Sequence, residues 1–259
     1  MADVTIVGCG NLGSALIRGL AAVGGHDVTA YDVDEAALER VAPHVARTTT
    51  DVETAAAASD VVVVAVKPDI VGAVLSEFTL SPDQTLVTVA AGVSRDYVAA
   101  RTDATVVRMM PNLAAETRDM AAAVTWAEAD EDVRAMLADL GSFVEISEDL
   151  MDAATALNGS GPAFVFYTIQ AMTEGAVAEG MDEAAAEVLA AQTVKGAAET
   201  VLRSERSVDD LIDAVCSPNG TTIEGMEVLW DSEYAEAMAA ALAAATRRSQ
   251  ELAAERADE

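Results

Sequence analysis

Residues 3–24, DVTIVGCGNLGSALIRGLAAVG, constrain the fold more than any other stretch of the chain. The β-branched run DVTIVG (3–8) reads as a buried strand. From residue 11 to residue 24 the apolar residues recur at helical spacing. The glycines at 8, 10 and 13 stand directly between the two. A strand that passes into a helix through so tight a turn is the first half of a βαβ unit, and the chain beyond residue 24 has to complete it.

The next segments do so. HDVTAYD (26–32) is a second strand and EAALERV (35–41) a helix. SDVVVVAV (59–66) is apolar without alternation, as a parallel strand covered on both faces requires. QTLVTVAAG (84–92) and ATVVRMMP (104–111) repeat the pattern, and AAAVTWAE (121–128) and SFVEI (142–146) extend the sheet. After about residue 150 the period changes. Residues 149–158, 161–180, 182–204 and 231–256 all read as helix, with Asp182 and Asp231 as N-caps and Gly180 as a stop. The predicted fold is α/β: a Rossmann-type doubly wound parallel sheet over 1–152, then an all-α domain over 153–259. Those Ala-rich helices make a thin core with wide apolar faces, so burial against a second copy is expected.

Composition narrows the setting. Forty-four acids against 15 bases give a net charge of −29, with 52% apolar residues. Disorder needs low hydrophobicity, which this chain lacks. The acids are scattered, as on a surface adapted to high salt, where repulsion is screened within a few Å. No basic patch exists to meet nucleic acid. No apolar run reaches membrane-spanning length and only Cys9 and Cys216 are cysteines, so a soluble, cytoplasmic protein in a reducing compartment is expected. No metal site is expected.

Several stretches carry chemistry. In GCGNLG, Gly8 permits the tight turn, Gly10 lets a pyrophosphate approach, and Gly13 lets helix and strand pack closely; Asn11 and Leu12 open the helix. Asp32, nineteen residues beyond Gly13, stands where a carboxylate accepts from the adenosine ribose and repels a 2′-phosphate. AVKPDI (65–70) ends a strand with Ala65, Val66, Lys67 and Pro68, and Lys67 is one of two lysines in the chain. Ala91 and Gly92 in AAG and Asn112 in MMPN end further strands at the same edge, around a nicotinamide. In LNGSGPAFVF (157–166) a polar turn from Asn158 to Gly161 precedes a helix begun by Pro162; its small residues let the backbone pass close to a ligand, and Ser160 is a candidate substrate contact. CSPNGTT (216–222) interrupts helical sequence with a turn rich in hydroxyls. Its N–H groups and hydroxyls at a helix start suit a carboxylate without a basic side chain.

In this order the motifs GCGNLG, AVKP, MMPN, GSGPAF, SPNGTT and the closing RRSQEL resemble the pyrroline-5-carboxylate reductase family from end to end. Two departures stand out. Asn219-Gly220 replaces the family's two glycines, and Asn112-Leu113-Ala114 replaces Asn-Thr-Pro. Asn tolerates the left-handed conformation, so the turn should survive.

The resemblance implies reduction of a small cyclic imine, 1-pyrroline-5-carboxylate, to L-proline, with NADH or NADPH as donor and Asp32 favouring NADH. It implies a dimer with interlocked C-terminal helices, or a ring of dimers. It also implies a substrate carboxylate on Ser217, Gly220 and Thr221, with Thr222 near the ring nitrogen and Glu205 reaching in from the partner. Two other functions fit a Rossmann-plus-helices plan: a β-hydroxyacid dehydrogenase with Lys195 as acid/base, and a non-catalytic dinucleotide sensor. Neither gives SPNGTT a role.

Overall fold

The computed structural model describes residues 2–126 and 131–257. Among these residues eight strands form one sheet: β1 (Asp3–Val7), β2 (Asp27–Tyr31), β3 (Arg47–Thr49), β4 (Val61–Val64), β5 (Thr85–Thr88), β6 (Thr105–Met110), β7 (Met120–Trp126) and β8 (Gly141–Glu145). Their order is β3-β2-β1-β4-β5-β6-β7-β8. All neighbours pair in parallel except β6 with β7. Helices α1 (Asn11–Val23), α2 (Glu35–Val41), α3 (Val52–Ala57), α4 (Val71–Leu75), α5 (Arg95–Ala99) and α6 (Glu131–Leu140) connect them. After the sheet come α7 (Met151–Ala154), a π-helical stretch (Thr155–Ser160), α8 (Gly161–Ala178), α9 (Glu183–Arg203), α10 (Val208–Val215), α11 (Thr221–Trp230) and α12 (Tyr234–Ala257).

The continuous apolar strands follow from cover on both faces. Val61 and Val63 join Val4 and Ile6 in one core with Leu16, Leu20 and Leu137, while Val62 and Val64 join Val7 in another with Leu75 and Leu86. Successive side chains point to opposite faces, so an uninterrupted valine run is what two covered faces need. Sequence pattern did not predict β3, a three-residue polar edge strand whose pairing with β2 supplies what its own residues do not.

Three local expectations meet the coordinates with different outcomes. Asp182 caps α9, accepting from Ala185 N at 3.1 Å. Gly180, at φ +94°, stops α8 with paired bonds from Gly180 N to Val177 O and Met181 N to Ala176 O. Asp231, by contrast, is the C-cap of α11; α12 starts later, where Tyr234 N donates to Ser232 Oγ at 3.2 Å. The polar turn expected at 158–161 is a second correction. Helical conformation runs through it from Met151 to Ala178, passing into π geometry at Thr155–Ser160. Pro162 has no N–H to give the ladder, and the wider π turns absorb the lapse without breaking the helix.

The chain forms two compact units, Met1–Ser160 with Ala243–Glu259, and Gly161–Leu242.

Candidate active site

In the first unit the glycine turn is built for close approach. The N–H of Gly8, at φ +101°, donates to Tyr31 O at 2.8 Å. A Cβ on Gly13 would lie 1.9 Å from Gly8 O, so α1 meets β1 this tightly only with hydrogen there. Gly10 is the N-cap of α1 and no side chain caps it. The N–H groups of Asn11, Leu12 and Gly13 therefore have no side-chain acceptor at the helix start, and nothing lies within 4 Å of a Cβ built on Gly10. That geometry fits a dinucleotide pyrophosphate.

Asp32 is fastened to this turn. Its Oδ2 accepts from Cys9 N at 2.7 Å and its Oδ1 from Asp34 N at 2.9 Å. Each oxygen keeps a second lone pair for a ribose hydroxyl. Burial, then the Asp32 charge, push the Cys9 thiol up to about 12, against the pull of Arg40. Cys9 is thus a neutral filler, not a nucleophile. A hollow of about 390 Å³ opens beside the turn, lined by Gly10, Asn11, Ser14, Arg18, Arg40 and Glu116 among others. Arg18 pairs with Glu116 at 3.1 Å.

The parallel register brings the other candidate cofactor residues to the same sheet edge. Ala65 N donates to Val7 O at 2.8 Å, and a Cβ on Gly8 would touch Val66 Cγ1 at 2.9 Å, so AVKP lies against the glycine turn. Lys67 is exposed, just before the 3-10 turn Pro68–Ile70. Ala91 is half-buried, and Gly92 is buried at φ +69°. Asn112 caps the turn Leu113–Thr117. A larger hollow of about 700 Å³ borders Pro68, Gly92, Tyr97, Arg108, Glu148 and Asp152. Arg108 is buried there and its Nη1 meets Glu148 Oε1 at 2.6 Å, an oxygen that also accepts Arg95 N at 3.1 Å. Sequence reasoning missed this pair: its partners stand 40 residues apart, and no short pattern links them.

In the second unit CSPNGTT forms a turn and then a helix start. Asn219 sits at φ +56°, the left-handed conformation its side chain tolerates. Gly220 N donates to Ser217 O at 2.9 Å, and a Cβ on Gly220 would fall 2.7 Å from Ser217 Oγ. Gly220 is the N-cap of α11, again without a side-chain cap. Ser217 and Thr221 are exposed and Thr222 is half-buried in the first turn of α11. Glu205 is exposed between α9 and α10, and Lys195 is exposed on α9. Ser160, half-buried, ends the π stretch in the first unit.

Known proteins resemble the chain over nearly its whole length. Residues 148–252 match the family model for pyrroline-5-carboxylate reductase dimerisation, and residues 3–92 match that for coenzyme F420-dependent NADP oxidoreductase. A pyrroline-5-carboxylate reductase of Methanosarcina acetivorans is 38% identical over 96% of this chain and 97% of its own. The chain belongs to the pyrroline-5-carboxylate reductase family. The Escherichia coli reductase is 34% identical over the same shares of each chain. Among solved structures, the Coxiella burnetii reductase superposes with a TM-score of 0.82 at 31% identity, covering 97% of this chain and 98% of that one. The Plasmodium falciparum enzyme, solved with NADP bound, gives 0.82 at 26% identity with equal coverage. With the chain in this family, the dehydrogenase and sensor readings are not favoured.

Proposed function

We propose that the chain reduces the C=N bond of 1-pyrroline-5-carboxylate to form L-proline, the last step of proline synthesis. The observation that carries this reading, beyond family membership, is the uncapped N-terminus of α11. A carboxylate substrate in a protein with few cations needs donors. The Gly220 N–H is already given to Ser217 O, so the N–H groups of Thr221 and Thr222 and the hydroxyl of Ser217 are the ones this helix start offers. Bound at the glycine turn, a reduced nicotinamide dinucleotide supplies the hydride that C5 of the imine receives. The chain's own residues hold and orient. Ser217 and the backbone N–H groups of Thr221 and Thr222 fix the carboxylate. Thr222 orients the ring nitrogen, which carries its proton into the product. Glu205 completes the site from a partner subunit. Holding the two carbons close does most of the work.

In this reading Asp32 favours NADH, because its carboxylate repels a 2′-phosphate. The apolar side chains that the second unit exposes, among them Phe166 (68%), Tyr167 (73%) and Leu202 (75%), are the face that a second copy covers, and dimers assemble further into a ring. Residues 1–152 bind the dinucleotide and 153–259 bind substrate and partner. The acidic surface belongs to a high-salt cytoplasm. Among the described residues no helix is long and apolar enough to cross a membrane. The test is direct: purified protein in molar KCl is given 1-pyrroline-5-carboxylate and each reduced cofactor in turn. Loss of nicotinamide absorbance with stoichiometric proline is expected; an inert protein under all conditions defeats the reading.

A further inference from the structure

The antiparallel pair β6–β7 stops short of the edge where the nicotinamide is expected. Its last ladder pair is Met110 with Ala123. Two residues on, the same register sets Asn112 against Ala121, but side chains replace the missing rung. Ala121 N donates to Asn112 Oδ1 at 3.3 Å. Ala121 O accepts from Asn158 Nδ2 at 3.0 Å, and the same Nδ2 donates to Met110 O at 2.6 Å. Asn112 Oδ1 also accepts from Ala114 N at 3.2 Å. Asn158, which reaches both strand ends, lies in the π-helical stretch, a local widening that often accompanies functional sites.

We propose that Asn158 is a positioning residue for hydride transfer. It clasps the Met110–Asn112 strand end and, two residues along its own helix, carries Ser160, so both are held in one frame. The inference rests on the imine-reduction reading above. Its chemistry is specific: both acceptors are carbonyl oxygens, so the clasp needs an amide N–H₂. A carboxylate of the same shape would offer no donor and would face two carbonyl dipoles. The clasp acts on geometry, where displacement of a reacting group by about 1 Å can cost on the order of a hundredfold in rate.

The experiment compares single-turnover hydride transfer, NADH affinity without substrate, and melting temperature. It uses wild type, Asn158→Asp, the milder Asn158→Ser, and Asp182→Ala as a control that removes a helix cap remote in sequence from every site residue. We expect the transfer rate to fall roughly 10- to 100-fold in Asn158→Asp and less in Asn158→Ser. NADH affinity should stay within about threefold, because the pyrophosphate turn is untouched. Asp182→Ala should lower the melting temperature and leave the transfer rate alone. Folded Asn158 variants that transfer hydride at the wild-type rate overturn the proposal. So does a rate loss in Asp182→Ala that matches theirs at equal destabilisation. If wild type itself reduces no imine, the functional reading fails instead, and the two failures are told apart by that one sample.

Discussion

Thr222 and Asp32 show how much one side chain is asked to do. Thr222→Val keeps the β-branched shape and removes only the hydroxyl. Its kcat/KM should fall about ten- to a thousand-fold, ~1.4–4 kcal/mol, as for a hydrogen bond to a reacting or charged group. NADH affinity should hardly change, and a titration of cofactor fluorescence beside steady-state kinetics checks both. Ser217→Ala should chiefly raise KM, as expected if, in the proposed role, Ser217 holds the carboxylate equally before and during reaction. Asp32→Ser should raise the use of NADPH relative to NADH, read as the ratio of kcat/KM values. The change carries a second cost, because Asp32 also accepts from Cys9 N and Asp34 N, and the shorter side chain leaves those donors unmet. A wild type that already prefers NADPH strongly would show that Asp32 does not govern the ribose. Cys9, buried and with its thiol held up near 12, should resist alkylation at pH 8 in the folded protein and react after denaturation.

At the scale of elements, the two sites rest on one device used twice. Helices α1 and α11 both begin at a glycine N-cap with no capping side chain, the geometry on which the proposed pyrophosphate and carboxylate sites both rest. The packing beneath them is unforgiving. In α1, Gly13→Ala would drive a methyl group to 1.9 Å from Gly8 O, forcing helix and strand apart. We expect a stability loss of about 3 kcal/mol with loss of dinucleotide binding, measured by urea denaturation and by NADH titration. Unchanged binding with unchanged stability would mean that the glycine turn is looser than its geometry implies.

At the scale of the molecule, charge and exposed apolar surface pull in opposite directions. A net charge of −29 on 259 residues repels itself and any second copy, while the helical unit needs cover for its exposed side chains. On the high-salt reading proposed above, salt settles the contest, since at 1 M the screening length is roughly 3 Å. Melting temperature and dimer content should therefore both climb steeply from low salt to molar KCl, followed by scanning calorimetry and by light scattering. A melting temperature that is flat across this range would refute adaptation to salt. Leu202→Glu, which puts a further charge on the exposed face of α9, should shift the protein toward monomer at every salt concentration.

What the sequence determined by itself is what local pattern encodes. Valine runs without alternation imply a sheet covered on both faces, and the spacing of Gly8, Gly10 and Gly13 implies a strand meeting a helix N-terminus. Asn219 before Gly220 implies a left-handed turn into α11, and the coordinates show it at φ +56°. These features depend on residues that are neighbours in the chain, so their physics is complete within a short window. Tertiary structure alone decided the rest. The polar edge strand β3 exists because β2 pairs with it. Asp231 closes α11 where its own type suggested a beginning. Residues 158–161 stay helical although their composition reads as a turn, because π geometry absorbs the lapse at Pro162 while Asn158 bonds two carbonyls, of residues 48 and 37 positions away. Asp32 to Cys9 and Arg108 to Glu148 are pairings of the same kind. Each joins groups whose partner is chosen by where the folded backbone passes, and no window of sequence contains both halves.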